Sequence, residues 1–223
     1  LVSQDDRAPE RWREVLQRIK DARAEGYDIT AQIAARPITL LLGLQSSMHP
    51  FITCPTYRSE LAQLGLDARV SRMREPEIRA TLIKEHASRT RGMSGMIAQS
   101  FHKMFPLGDP PEYEPMPEDS ISEMAKTAQR EPVELAYDML LEREGRELML
   151  FPLANFSEGN HDVLREMNLA EGTLPGLSDG GAHCGVICDA SFPTYMLTHW
   201  ARDRSRGEKL PLEYVVQRQT RDT

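Results

Sequence analysis

Leu177-Ser178-Asp179-Gly180-Gly181-Ala182-His183 is the stretch on which the reading of this chain turns. It closes a short apolar run, Thr173 to Leu177, that predicts a β-strand, so Asp179 falls just past a strand end. Gly180 and Gly181 reach backbone conformations closed to other residues, which lets the chain turn sharply and a ligand approach closely. In α/β folds, and in barrels especially, catalytic groups gather where strands end and loops begin. A carboxylate there suits a general base or a metal ligand. Asp-Gly-Gly also serves as a plain turn, since both residue types favour turns. Local pattern alone leaves the two readings side by side.

Working outward, helices and strands alternate. Trp12, Val15, Leu16, Ile19 and Ala22 recur at helical spacing between Pro9, suited to a first turn, and Gly26, a good stop. Tyr27 to Ile33 alternates and carries β-branched residues, which predicts a strand. Pro132 opens a second helix with Ala136, Met139 and Leu140 on one face, closed by Gly145. Glu147 to Leu153 reads as a buried strand and Ser157 to Met167 as the helix behind it. After the strand Thr173 to Leu177 come helices at Pro193 to Arg204 and Pro211 to Gln219. Such alternation implies a parallel sheet or barrel.

The middle departs from this rhythm. Between Ser46 and Arg130 lie Pro50, Pro55, Pro76, Pro106, Pro110, Pro111, Pro115 and Pro117, with two or three helical stretches among them. The clearest starts at Pro76 and carries Ile78, Leu82 and Ile83 on one side. A long excursion between two strands reads as an insertion, whose loops either line a substrate pocket or simply pack as a lid-like subdomain. Met93, Met96 and Met104 would suit an adaptable pocket wall or fill core gaps. The expected organisation is a barrel helix-strand unit over 1–45, a helical and irregular insertion over 46–130, and barrel βα units over 131–223.

Composition excludes several function classes. Against 34 acidic residues stand 27 basic ones, a net charge of −7, with no basic stripe interleaved with aromatics, so no nucleic-acid partner is expected. No apolar run approaches the roughly 18 residues that cross a bilayer. Leu40-Leu41-Leu42-Gly43-Leu44 is too short and reads as core. Three widely placed cysteines make no disulfide framework, and a reducing cytoplasm is the default expectation.

The run from Gly176 through Asp179-Gly180-Gly181-Ala182-His183-Cys184 to Cys188-Asp189-Ala190-Ser191-Phe192-Pro193-Thr194 resembles the last barrel strand and loop of the amidohydrolase superfamily. It is most similar to the D-aminoacylase branch, the N-acyl-D-amino-acid deacylases. Leu210-Pro211-Leu212-Glu213 to Gln219-Thr220-Arg221-Asp222-Thr223 resembles that branch's final barrel helix, and Trp12 to Gln32 its helix-strand unit before the sixth strand. The resemblance extends over most of the chain at low stringency. Ser178-Asp179-Gly180 and the terminal helix are its specific parts.

This resemblance implies an α/β fold: the C-terminal portion of a (β/α)8 TIM-barrel-like metal-dependent hydrolase, carrying a helical insertion. It implies zinc-assisted hydrolysis of a non-peptide-backbone amide, with Asp179 as proton shuttle and metal ligand. A divalent metal lowers the pKa of bound water to about 7 and polarises the carbonyl. A neighbouring carboxylate can take the water's proton and return it to the leaving amine. Most zinc ligands are expected upstream: no His-x-His occurs here, Tyr27 to Ile33 has no histidine, and the flanking β-sandwich has no counterpart. The expected partners are a small-molecule amide substrate, the remaining half of the barrel and, in a homo-oligomer, further copies of the chain. A catalytically inactive relative serving assembly or binding is the alternative.

Six histidines are present. His86 and His161 read as exposed or capping, and His102 and His199 as packed in helices beside Phe101 and Trp200. His49 sits in a loop that could face a pocket. His183, four residues beyond Asp179, is the candidate for gripping the substrate carbonyl or its oxyanion, or for a metal. Where the family usually carries His-Pro-Arg, whose arginine grips a substrate carboxylate, this chain reads Phe192-Pro193-Thr194. Its Tyr-Pro-Tyr is replaced by Ala35-Arg36-Pro37. Arg36 is thus either a substitute clamp for the substrate carboxylate or one half of a structural ion pair.

Overall fold

The computed structural model describes residues 1–88, 91–178, 180–181 and 183–223. The chain divides into two compact units. The first comprises Leu1–Thr39, Tyr113–Pro115 and Pro152–Thr223, the second Leu40–Glu112 and Met116–Phe151.

In the first unit, helix α1 (Arg11–Ala24) buries Trp12 and Ile19, with Val15 and Leu16 packed on the same core, as the spacing predicts. Gly26, at φ 94°, ends it, and the chain then enters strand β1 (Ala31–Ala34). The predicted strand from Tyr27 starts four residues later than expected. Tyr27 and Ile29 are exposed, and pairing begins only where a partner exists: the Ala31 amide donates to the Gly172 carbonyl at 2.8 Å. β1 runs parallel to β5 (Thr173–Gly176), with Ala31 opposite Thr173 and Ala34 opposite Gly176. The Val2 amide adds a parallel bridge on the other side of β1.

Helices α8 (Asp162–Leu169), α9 (Phe192–Tyr195) and α10 (Leu212–Thr220) complete this unit, with a π-helical segment, Met196–Asp203, continuing α9. Ile33, Leu164, Met167, Phe192, Met196, Trp200 and Val215 form its apolar centre. The Trp200 indole N–H donates to the Ala35 carbonyl at 2.6 Å, so the π-helical segment is fastened to the end of β1.

The second unit holds most of what the sequence marked as an insertion. Its helices are α2 (Leu66–Met73), α3 (Pro76–His86), α4 (Gly92–Gln99), α5 (Ile121–Thr127), α6 (Pro132–Leu140) and the single turn α7 (Glu142–Gly145). Prolines occupy the first turns of α3 and α6, where a missing N–H costs nothing. A three-stranded sheet has the order β2 (Ile38–Leu42), β4 (Met149–Ala154), β3 (Phe105–Pro106), with β3 antiparallel to β4. Both β2 and β4 contain a point of division between the units. Leu40-Leu41-Leu42, read as core, is therefore a strand. Tyr137 stacks edge-on to Phe51 and donates from its hydroxyl to the Met73 carbonyl, anchoring α6 to the end of α2.

The class is mixed α/β with small sheets. Among the described residues no closed barrel forms, so the expected barrel portion is met only by the parallel β1/β5 pair and its covering helices. Among the same residues no helix is long and apolar enough to cross a membrane.

Burial in the second unit has a consequence for acid stability. His49 is buried edge-on to Tyr57, and its Nδ1 accepts from the Phe51 amide at 3.3 Å. Desolvation first, and the positive charge of Arg69 second, lower its pKa to about 3. Above about pH 6.5 the ring is neutral in both folded and unfolded chains and has no pH effect. As pH falls from about 6.5 towards 3, the unfolded chain takes up a proton that the folded chain refuses. Stability is then lost at up to about 1.4 kcal/mol per pH unit for such a histidine. Urea midpoints at pH 7.5, 6 and 5 should show this decline, and His49→Gln should flatten it by about one proton. An unchanged slope in the variant would show that His49 titrates normally in the fold.

Candidate functional site

Two places in the first unit concentrate polar chemistry. One is the cleft at the C-terminal end of the parallel strand pair. Pro175, in β5, lacks an N–H, and Gly176 lies so close to Gln32 that a Cβ there would fall 2.9 Å from that side chain. Leu177 then takes φ 62°, a left-handed conformation that costs a non-glycine residue about 1–2 kcal/mol. His183 sits at φ 56° on the far side of the turn. Strained residues thus bracket the Ser178–Gly181 stretch, the kind of outlier that clusters at functional sites. A cavity of about 490 Å³ opens here, lined by Gln32, Ala35, Pro175, Ser178, Phe192 and Met196 among others, with no charged side chain among the described lining residues.

Asp179 itself lies outside the described residues. His183 is exposed on the loop, and its carbonyl accepts from the Val186 and Ile187 amides at 2.8 and 2.9 Å. The expectation for Arg36 as a substrate clamp meets a different arrangement. Arg36 is 1% exposed, donates from Nη1 to the Thr39 hydroxyl at 3.1 Å and from Nη2 to the Cys188 carbonyl, and lies 3.8 Å from an Asp189 carboxylate oxygen. Tyr113 and Phe192 both lie against its guanidinium, 3.9 and 4.8 Å from the ring centroids. The carboxylate it meets belongs to its own chain, because burial in a low-dielectric pocket demands a permanent counter-charge. Arg36 therefore ties the loop after β5 to the end of β1, and is the structural ion pair of the two readings.

The second place is built around Glu114, which sequence reasoning passed over. His161 caps α8, and its backbone N–H donates to Glu114 Oε1 at 2.8 Å. Arg204, fully buried over Trp200, reaches the same carboxylate with Nη2 to Oε1 at 3.0 Å and Nε to Oε2 at 3.2 Å. Its Nη2 also meets Asp162 at 2.7 Å. His199, on the π-helical segment, places Nε2 3.0 Å from Oε2, and His161 places Nδ1 3.6 Å from it. Arg206 donates to the Glu114 and Pro115 carbonyls at 2.8 and 2.6 Å.

Burial would raise the Glu114 pKa, but hydrogen bonds from His199 and Arg204, with the charge and amide of His161, hold it well below the usual carboxylate range. For His161 desolvation dominates, only partly opposed by Glu114, and its pKa falls to about 3. The buried ring is neutral at physiological pH. This corrects the expectation of an exposed or capping side chain: the residue does cap α8, yet its ring and that of His86 are both buried. Among the described residues, Glu114, His161 and His199 are the one group of three whose ligand atoms converge, all within 4.8 Å, and this buried cluster could hold a metal ion.

No local pattern announces this cluster. Its members are separated by 47 and 85 positions, and Glu114 sits in a proline-rich stretch that reads as solvated loop. The usable signal is Trp200 and Arg204 one turn apart on an apolar helix face, since an arginine there needs a buried acid. Compared with known proteins, the chain matches no family model, and neither a curated protein nor a solved structure is similar to it.

Removing the Arg36 guanidinium should cost stability rather than only substrate affinity. For Arg36→Met, thermal unfolding followed by circular dichroism should show a loss of about 3–5 kcal/mol, or on the order of 10 °C. Arg36→Lys should restore only part, because an ammonium cannot fork between two acceptors while stacked on two rings. A change below about 0.5 kcal/mol would place Arg36 outside the structural framework.

Proposed function

We propose that the chain acts as a hydrolase of C–N bonds other than peptide bonds, in the manner of the N-acyl-D-amino-acid deacylases it resembles, on an amide without a free carboxylate. The observation that carries this reading is the strand-end cleft: Ser178 follows β5 at an open cavity, and Leu177 and His183 take left-handed conformations on either side of the glycine-rich loop. Strand ends of parallel sheets are where such folds place their chemistry. The preference for a neutral substrate follows from the lack of a cationic side chain among the described lining residues and from the commitment of Arg36 to Asp189.

In this reading Asp179 takes the proton of the attacking water and returns it to the departing nitrogen, so one carboxylate serves both halves of the reaction. Ser178 lines the cavity, and exposed His183 is available to the substrate carbonyl. The zinc implied by the resemblance would supply polarisation of the carbonyl. Among the described residues no converging set of three ligands stands at this loop, so those residues do not by themselves make that site.

Amine release from paired neutral and acidic N-acyl substrates tests the proposal. Asp179→Asn, nearly isosteric, should lower turnover by about 10²–10⁴-fold with the melting temperature unchanged. Neutral amides should be cleaved in preference to acids. Retention of more than about a tenth of the activity would remove Asp179 from the mechanism. Failure of every amide would favour the inactive, binding-only relative.

A further inference from the structure

We propose that Glu114, His161 and His199 bind one zinc-class divalent cation, in a structural site separate from the Ser178–Gly181 loop. The spacing fits such an ion. Ligand atoms bonded at about 2.0–2.2 Å to one metal lie about 3–3.6 Å from each other. Here His199 Nε2 and His161 Nδ1 stand 3.0 and 3.6 Å from the same Glu114 oxygen. Two imidazoles and one carboxylate form a borderline donor set, suited to zinc, cobalt or nickel rather than to magnesium or calcium.

The surroundings of His161 point the same way. Its Nε2–H donates to the Tyr113 carbonyl at 2.9 Å, the outer hydrogen bond that metal-bound histidines typically make, and this fixes the ring's orientation. Nδ1 is left as an electron pair, buried, without a hydrogen-bond partner and directed towards a carboxylate oxygen. Two electron-rich atoms facing each other away from water call for a cation between them. Arg204 donates from Nη2 to Oε1 and from Nε to Oε2, while sharing its charge with Asp162, and makes no hydrogen bond to His161 Nδ1. Glu114, Asp162 and Arg204 together carry one net negative charge, which a dication would reverse rather than compound.

Burial sets the role. Glu114 and His161 are closed to solvent and only His199 is partly exposed, so no substrate reaches the ion. It would join three segments distant in sequence: Tyr113–Pro115, the start of α8 and the π-helical segment.

The test uses the whole chain, stripped by a chelator and titrated with Zn²⁺ against a chromophoric competitor, then with Co²⁺ followed in the visible range. One ion per chain is expected, with cobalt bands of a nitrogen–oxygen site. Stripping should lower the melting temperature by roughly 5–10 °C relative to metal at a hundred times its dissociation constant. His199→Gln, at the partly exposed ligand, should weaken binding by more than about 100-fold. Asp179→Asn and His183→Ala should leave it unchanged. Absence of stoichiometric metal, or a chelator without effect on the wild-type melt, would show an ion-pair cluster only. Loss of binding in Asp179→Asn but not in His199→Gln would place the ion at the loop and overturn the assignment.

Discussion

The first unit depends on one buried carboxylate. Glu114, itself buried, accepts hydrogen bonds from a buried arginine fork, the backbone amide of the residue that caps α8 and a partly exposed histidine ring. Such an assembly is costly to leave incomplete: a buried charge without its partners loses far more than a surface pair gains. The energetic logic explains why Tyr113–Pro115 belongs to this unit although the residues flanking it in sequence belong to the other. It also explains why His161, which reads as exposed or capping, and His199, which reads as packed beside Trp200, turn towards the same oxygen.

The Arg36 latch uses the same physics for a different end. A buried guanidinium, pressed against Tyr113 and Phe192 and set beside Asp189, holds the loop after β5 to the end of β1. A loop that leaves a strand through a left-handed leucine needs such a restraint, since the strain would otherwise relax. Packing and charge thus fix the rims of the cleft, and the buried Arg36–Asp189 pair keeps that cation out of its described lining.

Much of this was legible in the sequence. Helices α1, α3, α6, α8 and α10 and strand β5 follow from apolar spacing, proline at helix starts and glycine at ends. The strand predicted from Tyr27 began late because alternation of side chains makes no strand without a neighbour to pair with. β2 escaped notice because an unbroken apolar run reads alike as strand or as buried core. The expected barrel portion rested on the family resemblance and on the order of elements, and that order fixes neither which strands pair nor how many. The Glu114 centre was not readable. Its geometry arises from contacts 47 to 90 residues apart, and nothing local distinguishes Glu114 from the other acids of a proline-rich stretch.

A double-mutant cycle between Glu114 and Arg204 tests the central claim most directly. Unfolding free energies would be measured by urea titration, in the presence of chelator, for Glu114→Gln, Arg204→Met and the pair together. Each single change should cost about 3–5 kcal/mol, and the double much less than their sum, leaving a coupling energy above about 1.5 kcal/mol. Additivity within about 0.5 kcal/mol would mean that the carboxylate and guanidinium act independently, and that Glu114 is not the point from which this unit is held together.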